Sequence, residues 1–204
     1  MITIINYGLG NIKAFVNVYK KLSIPVRVAS SIEDLSHVQK IILPGVGAFD
    51  YAMEKLEKSG MRNRINELVT EKGVPVIGIC VGMQMLAKSS EEGNLPGLGW
   101  VDATVKKFDI SKIKTTTHLP HMGWNDVSPQ NGNHLFEGLN NDAKFYFLHS
   151  YYFSCNQADD AIAVSTYGDT FVCAINYKNI YGVQFHPEKS HHYGVKVLEN
   201  FAKI

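Results

Sequence analysis

Apolar residues along this chain follow two rhythms. In the first half, short solid apolar runs alternate with stretches where apolar residues recur every three or four positions. Ile2–Asn6 is the first run. Asn11–Leu22 follows, with Ile12, Phe15, Val16 and Tyr19 on one helical face. Pro25–Ala29 and Lys40–Leu43 are two further strand-like runs. Between them, Ser30 or Ser31 is placed to cap a short helix through Val38, with Glu33 and Asp34 in a first turn that favours acids. Phe49–Leu56 and Met61–Lys72 carry helical spacing. Val74–Ile79 is apolar without alternation, as a strand buried on both faces requires, and Met83–Lys88 opens another helix. Strand then helix, repeated four times, predicts right-handed crossovers in a mostly parallel sheet with helices on both faces.

The second half changes rhythm. Trp100–Phe108, His121–Val127, Lys144–Phe153, Ile162–Tyr167, Phe171–Tyr177 and Ile180–Phe185 read as strands separated by Gly, Asn and Asp turns. A helix around Val195–Ile204 closes the chain. The expected fold is therefore α/β: an open, mostly parallel sheet flanked by helices, with a mixed, partly antiparallel extension in the C-terminal half. No repeat or linker divides the 204 residues, so residues 1–204 are expected to form one domain.

Composition narrows the class. Lys plus Arg number 20 and Asp plus Glu 19, so the net charge is +1 and no basic block marks a nucleic-acid binder. No apolar run approaches the ~20 residues of a membrane span. Met1–Asn6 lacks a basic leader and a small-residue cleavage site, and reads as a strand rather than a signal peptide. Cys80, Cys155 and Cys173 are few, odd in number and far apart, which argues against a disulfide framework and for a reducing, cytoplasmic setting.

Two glycine clusters follow strands. Gly8-Leu9-Gly10 resembles the opening of a dinucleotide fingerprint. However, Lys13 stands where the third Gly or Ala belongs, and no acidic residue closes the second strand for a ribose. These glycines are assigned to a tight turn. Pro44-Gly45-Val46-Gly47 is either a plain strand-to-helix turn or a backbone amide site, since flanking glycines let the Val46 peptide approach a ligand or rotate.

Val76-Ile77-Gly78-Ile79-Cys80-Val81-Gly82 is the strongest local signal: an apolar strand, Gly-x-Cys-x-Gly, then a helix. This is the cysteine form of a nucleophile elbow, which needs glycines where strand and helix pass too closely for side chains. The bend exposes Cys80 at a helix N-terminus, which favours thiolate, and the Val81 amide points where an oxyanion forms. The competing reading is a small buried cysteine between glycines. Cys155 and Cys173 have no such turn and read as core.

A thiol nucleophile needs a base held by a third group. His186 ends the apolar strand Tyr181–Phe185. Pro187 biases it toward an extended backbone, so His186 and Glu188 are expected to face one side, with the carboxylate orienting the ring. His37, His118, His121, His134, His191 and His192 show no evident pairing. A metal site from His186, His191 and His192 lacks acidic or thiolate partners, so neither metal nor cofactor is expected.

With these residues in order, the sequence resembles the class I, triad-type glutamine amidotransferases. Pro44-Gly-Val-Gly47, Gly78-Ile-Cys-Val-Gly-Met-Gln84 and Phe185-His-Pro-Glu188 carry the likeness. Within the class it is similar to the glutaminase subunits of imidazole glycerol phosphate synthases. That likeness rests on Asn6–Asn11, Pro44–Phe49, His121-Met-Gly-Trp-Asn125, His149-Ser-Tyr-Tyr152 and His186–Ser190, and spans nearly the whole chain. Asp109–Thr117 departs from the pattern and is expected to be a variable surface loop.

The resemblance implies hydrolysis of free L-glutamine. Cys80 would attack the side-chain amide, His186 would carry the proton to departing ammonia, and Glu188 would hold His186. The amides of Val46 and Val81 would form the oxyanion hole, and Gly45, Gly47, Gln84, Ser150 and Tyr151 would hold glutamine. It also implies a heterodimer with a (β/α)8-barrel synthase subunit that receives the ammonia and makes imidazole glycerol phosphate and aminoimidazole carboxamide ribotide. Trp124, Asn125, Tyr146, Tyr151 and Lys189 are the interface candidates, with ordinary packing of a Trp- and Tyr-rich sheet as the other reading. A different acceptor synthase, such as a sugar amidotransferase, remains an alternative, as do a non-catalytic binding subunit and a γ-glutamyl peptidase.

Overall fold

The computed structural model describes residues 1–113, 118–130, 132–140 and 142–204. The core is a twisted run of parallel strands built from the solid apolar segments. β1 (Ile2–Ile5) lies between β2 (Val26–Ala29) and β3 (Lys40–Gly45), and β4 (Val76–Cys80) follows β3, all parallel. β4 is wholly buried, as its unbroken apolar sequence requires. Helices α1 (Ile12–Lys21) and α2 (Phe49–Lys58) bury their apolar faces, with Phe15 and Tyr19 on the first and Phe49, Ala52, Met53 and Leu56 on the second. Helix α3 (Arg62–Asn66) runs on into a wider π turn over Glu67–Glu71.

After a single-turn helix α4 (Val81–Gln84), the chain adds short strands β5 (Ser89–Ser90) and β6 (Ala103–Lys107). β7 (His121–Asp126), β8 (Ser128–Pro129), β9 (Lys144–His149), β10 (Tyr151–Cys155), β11 (Ala161–Tyr167), β12 (Asp169–Tyr177) and β13 (Ile180–Val183) follow. The long sheet runs β2-β1-β3-β4-β13-β12-β10-β6-β5, with β11 and β8 branching from β12. β13 enters parallel to β4, with Gly182 opposite Gly78. Beyond it, β12, β10 and β6 pair antiparallel. β7 and β9 form a separate antiparallel ribbon, with His121 opposite His149 and Trp124 opposite Tyr146. The mostly parallel half and the antiparallel extension are thus both present.

Several sequence expectations shift. The helix expected through Val38 is only a 3-10 turn, Glu33–Leu35. Neither serine caps it: Ile32 holds the N-cap position without a side-chain bond, and the Asp34 carboxylate inside the turn reaches back to accept the amides of Ser30 and Ser31 at 2.8 and 3.1 Å. The helix expected over Met83–Lys88 instead starts at Val81 and stops at Gln84. The residues after it are drawn onto the neighbouring segment, where Lys88 donates to the Ala103 carbonyl and Gly97 to that of Lys88. The single strand expected over Lys144–Phe153 is two strands that break at Ser150, because β9 belongs to the ribbon and β10 to the long sheet. Of the loop expected over Asp109–Thr117, the structure shows a 3-10 turn at Ile110–Lys112 capped by Asp109, and residues 114–117 lie outside the described residues.

The last helix, α5 (His191–Lys203), starts four residues before the expected position and buries Val197, Leu198 and Phe201. The Tyr19 hydroxyl on α1 donates to the Leu198 carbonyl at 3.1 Å. Buried Asn200 donates to the carbonyls of Leu135 and Glu137, at 3.1 and 2.8 Å, and so ties α5 to the turn before β9. Asn200→Ala leaves two acceptors without their donor and is expected to cost about 2 kcal/mol. Urea unfolding checks this, and an unchanged midpoint at unchanged m-value would overturn it.

Candidate active site

The site grows from a crowded crossing of backbones. Gly78 on β4 and Gly82 on α4 face each other so closely that a Cβ on Gly78 would sit 2.5 Å from the Gly82 carbonyl oxygen. A Cβ on Gly82 would in turn overlap the Leu43 carbonyl, and one on Gly45 would overlap the Gly82 amide. The chain turns in this space by placing Cys80 at φ 55 and ψ −114, outside the regions that L-residues favour. The bend presents the sulfur at the C-terminal end of β4. Since α4 is a single turn, the helix dipole offered to Cys80 is smaller than a full helix would give.

β13 lies beside β4, so the residues after its end arrive next to Cys80. His186 is extended, at φ −99 and ψ 93, and its amide donates to the Tyr146 carbonyl at 2.8 Å. Pro187–Lys189 then form a 3-10 turn, which brings Glu188 back to His186; a simple extended segment had been expected. Nδ1 of His186 lies 3.0 Å from Glu188 Oε1, with both side chains nearly fully buried. The Nδ1–H donates to the carboxylate, which leaves Nε2 for the Cys80 side chain that the ring also engages. Burial alone would push the His186 pKa down. Hydrogen bonds and charge from Cys80 and Glu188 outweigh that and raise it to about 10. A ring held this way keeps its proton and can hand it to a leaving amine.

The surrounding cavity is about 340 Å³, enough for a single amino acid, and is lined by Val46, Gly47, Cys80, Val81, Gln84, Glu92, Pro120, Leu148, His149, Ser150, Tyr151, His186 and Lys189. Most of the sequence candidates for substrate and oxyanion contacts therefore meet in one place. Gly45 does not line the cavity; it packs against the Gly82 amide beneath. Gly47 sits at φ 87, a conformation that favours glycine and lets the Val46–Gly47 turn form the rim. Trp124, Asn125 and Tyr146 lie outside the cavity, on the β7–β9 ribbon. Trp124 stacks on His191, 5.0 Å between centroids and 3° apart in plane, and Lys189 lies over the Tyr146 ring at 5.5 Å. Asn125 turns inward and donates to the Thr166 carbonyl at 2.8 Å.

Residues that sequence reasoning passed over also converge here. Gln184, fully buried, donates to Cys80 Sγ at 3.8 Å and accepts from Gln84 Nε2 at 3.1 Å. Its signal was a polar side chain inside an otherwise apolar strand end. The Tyr7 hydroxyl donates to the Pro44 carbonyl at 2.7 Å; burial raises its pKa, and the charge of Cys80 raises it further. His121 and His149 are buried together, with Nδ1 of the first 3.0 Å from Nε2 of the second. No cluster of three or more His, Cys, Asp or Glu able to hold a metal occurs among the described residues, so His186, His191 and His192 do not combine into one.

This arrangement sets a cysteine and an imidazole on the wall of a small cavity, with a buried carboxylate behind the imidazole, which is the constellation for acyl transfer through a thioester. The family description "Glutamine amidotransferase class-I" matches residues 3–204, and the chain belongs to that family. Among its relatives, the chain is 56% identical over the full length of both chains to "Imidazole glycerol phosphate synthase subunit HisH" of Bdellovibrio bacteriovorus. It is 48% identical, again over all of both, to the protein of that name from Leptospira borgpetersenii. Solved structures share the fold: one titled "Crystal structure of glutamine amidotransferase" superposes with a TM-score of 0.74 at 19% identity, covering 100% of this chain and 99% of that one. PurLQS from Thermotoga maritima gives 0.72 at 15%, covering 99% and 97%.

The buried histidines generate a prediction. Burial pushes the pKa of His121 down to about 4 and that of His149 to about 3, against about 6.5 in an unfolded chain. Above pH 6.5 both states are neutral and neither ring affects stability. Below it, the unfolded state takes up protons that the fold refuses, so stability falls as pH drops from about 6.5 toward 4, by about 1.4 kcal/mol per pH unit for each ring. Chemical denaturation across this range should show His149→Gln losing stability less steeply than wild type. Parallel curves would overturn the assignment.

Proposed function

We propose that the chain is the glutaminase subunit of an imidazole glycerol phosphate synthase, and that Cys80, His186 and Glu188 are its catalytic triad. The observation that carries the reading is a thiol and an imidazole lining one cavity with a buried carboxylate behind the imidazole, in a chain that matches synthase subunits along its whole length. Cys80 Sγ attacks the side-chain carbonyl of L-glutamine. The carbon–sulfur bond forms, the oxyanion is met by the amides of Val81 and Val46, and collapse breaks the carbon–nitrogen bond as His186 gives its proton to the departing ammonia. Water, deprotonated by His186, then cleaves the thioester and releases glutamate. Glu188 holds the ring throughout. Gly47, Gln84, Ser150 and Tyr151 line the space for glutamine, with Gly45 supporting the turn from below.

Ammonia is useful only if it leaves the cavity unprotonated, so a partner must cover the exit. Exposed apolar side chains gather on the strands beside it: Met122 at 64%, Trp124 at 47% and Leu148 at 38% exposure, on β7 and β9. With Tyr146, Tyr151 and Lys189 they form the surface on which a (β/α)8-barrel synthase subunit would dock as a heterodimer, while Asn125 faces the other side of β7. That partner would use the ammonia to make imidazole glycerol phosphate and aminoimidazole carboxamide ribotide in histidine biosynthesis. The cytoplasmic setting is part of this reading, since Cys80, Cys155 and Cys173 are all free thiols.

Cys80→Ala is expected to abolish glutamine hydrolysis while leaving the circular dichroism spectrum unchanged; hydrolysis at the wild-type rate would overturn the triad. The flanking glycines would let the Val46 peptide sit rotated until a partner binds, so the subunit alone should hydrolyse glutamine slowly, and activity should rise when the barrel subunit and its ribotide ligand are added. Equal rates with and without the partner would refute that dependence.

A further inference from the structure

A chain of hydrogen-bonded side chains, half-buried at Asn125 and buried from His121 inward, takes no part in the proposed triad chemistry and leads from β7 to the cavity. Its direction is fixed from both ends. Asn125 Nδ2 donates to the Thr166 carbonyl at 2.8 Å, and Asn125 Oδ1 accepts the Asp126 amide at 2.9 Å, so the amide orientation is settled. The same Nδ2 lies 3.2 Å from His121 Nε2, which must therefore accept. His121 Nδ1 then carries the hydrogen and donates to His149 Nε2 at 3.0 Å. His149 Nδ1 in turn donates to the Tyr151 carbonyl at 2.7 Å. A protonated ring at either place would put hydrogen against hydrogen, and burial disfavours the charge as well.

At the inner end, Tyr151 O also accepts from Gln84 Nε2 at 3.1 Å. The other Nε2 hydrogen of Gln84 goes to Gln184 Oε1. Both donors of the Gln84 amide are thus used, and only its Oε1 remains to meet a ligand. The chain therefore sets which atom Gln84 offers to the cavity, and it fixes the Ser150–Tyr151 corner where β9 gives way to β10.

We infer that His121 and His149 are positioning residues for glutamine: as neutral Nδ1–H rings joined in series, they lock the Tyr151 carbonyl and, through it, present Gln84 Oε1 as an acceptor for a substrate N–H. This rests on the reading of Cys80 as a glutaminase nucleophile. Stacking is the rival role, since His121 is sandwiched between Phe147 and Tyr167 at centroid distances of 4.9 and 4.1 Å. Two substitutions separate the roles. His121→Phe keeps an aromatic ring between its neighbours and removes both hydrogen bonds. His121→Asn loses the stack but retains an N–H where Nδ1 stood.

The test is glutamine hydrolysis by the wild-type and variant chains, each in complex with the barrel subunit, alongside the ring 15N shifts of the wild-type chain at pH 7. In the expected result His121→Phe raises KM for glutamine about tenfold, the loss of one positioning hydrogen bond, with kcat changed less than about threefold. His121→Asn recovers most of that loss, and both rings show the Nδ1–H tautomer. A wild-type KM in His121→Phe, an Asn variant no better than the Phe variant, or an Nε2–H tautomer on either ring would overturn the inference. Should His121→Phe fail to fold, the tautomer measurement on wild type still decides. A wild-type complex that hydrolyses no glutamine refutes the glutaminase reading instead, and the nitrogen shifts then judge the relay by itself.

Discussion

Everything about this site depends on how closely three backbones pass at Gly45, Gly78 and Gly82. Side chains are excluded there, and the chain can pass from β4 to α4 only through a sharp bend. The bend is stable because the sheet on one side and the short helix on the other determine it jointly, and the strain stays on the one residue whose sulfur must stand clear. β13 then enters the sheet beside β4, and this register carries His186 to the thiol without any long side chain having to reach.

Around that sulfur, one small volume treats its histidines in opposite ways. His186 is buried, yet hydrogen bonds and charge from Cys80 and Glu188 outweigh that burial and hold a proton on the ring. His121 and His149 are buried without an acidic partner, and the charge of His186 adds to the penalty at His149, so both rings refuse one. The same ring chemistry supplies a proton carrier in one place and a rigid polar strut in another, and what distinguishes the two is whether a carboxylate or thiolate lies within reach.

The parallel half was legible because buried parallel strands are written as unbroken apolar runs, and α1 and α2 as periodic ones. The elbow was legible because glycines at 78 and 82 around Cys80 have few other uses. What escaped depended on partners distant in sequence. Nothing local marks Ser150 as a break, since the two halves of 144–153 diverge only because different strands pair with them. The short extent of α4 is not written locally, because contacts with residues 97–103 end it. His121 showed no pairing in the sequence, because its partner stands 28 residues away across a ribbon. Gln184 likewise gains its meaning only from Gln84 and Cys80, 100 and 104 residues earlier.

That last separation bears on how the molecule comes into being. β13 is synthesised after the other described strands, yet it occupies the middle of the sheet between β4 and β12. During synthesis the strands up to β4 can align, but the slot beside β4 stays open until residues 180–183 have emerged. A nascent or truncated chain accordingly carries its sulfur without an imidazole, and chemical competence arrives together with completion of the fold.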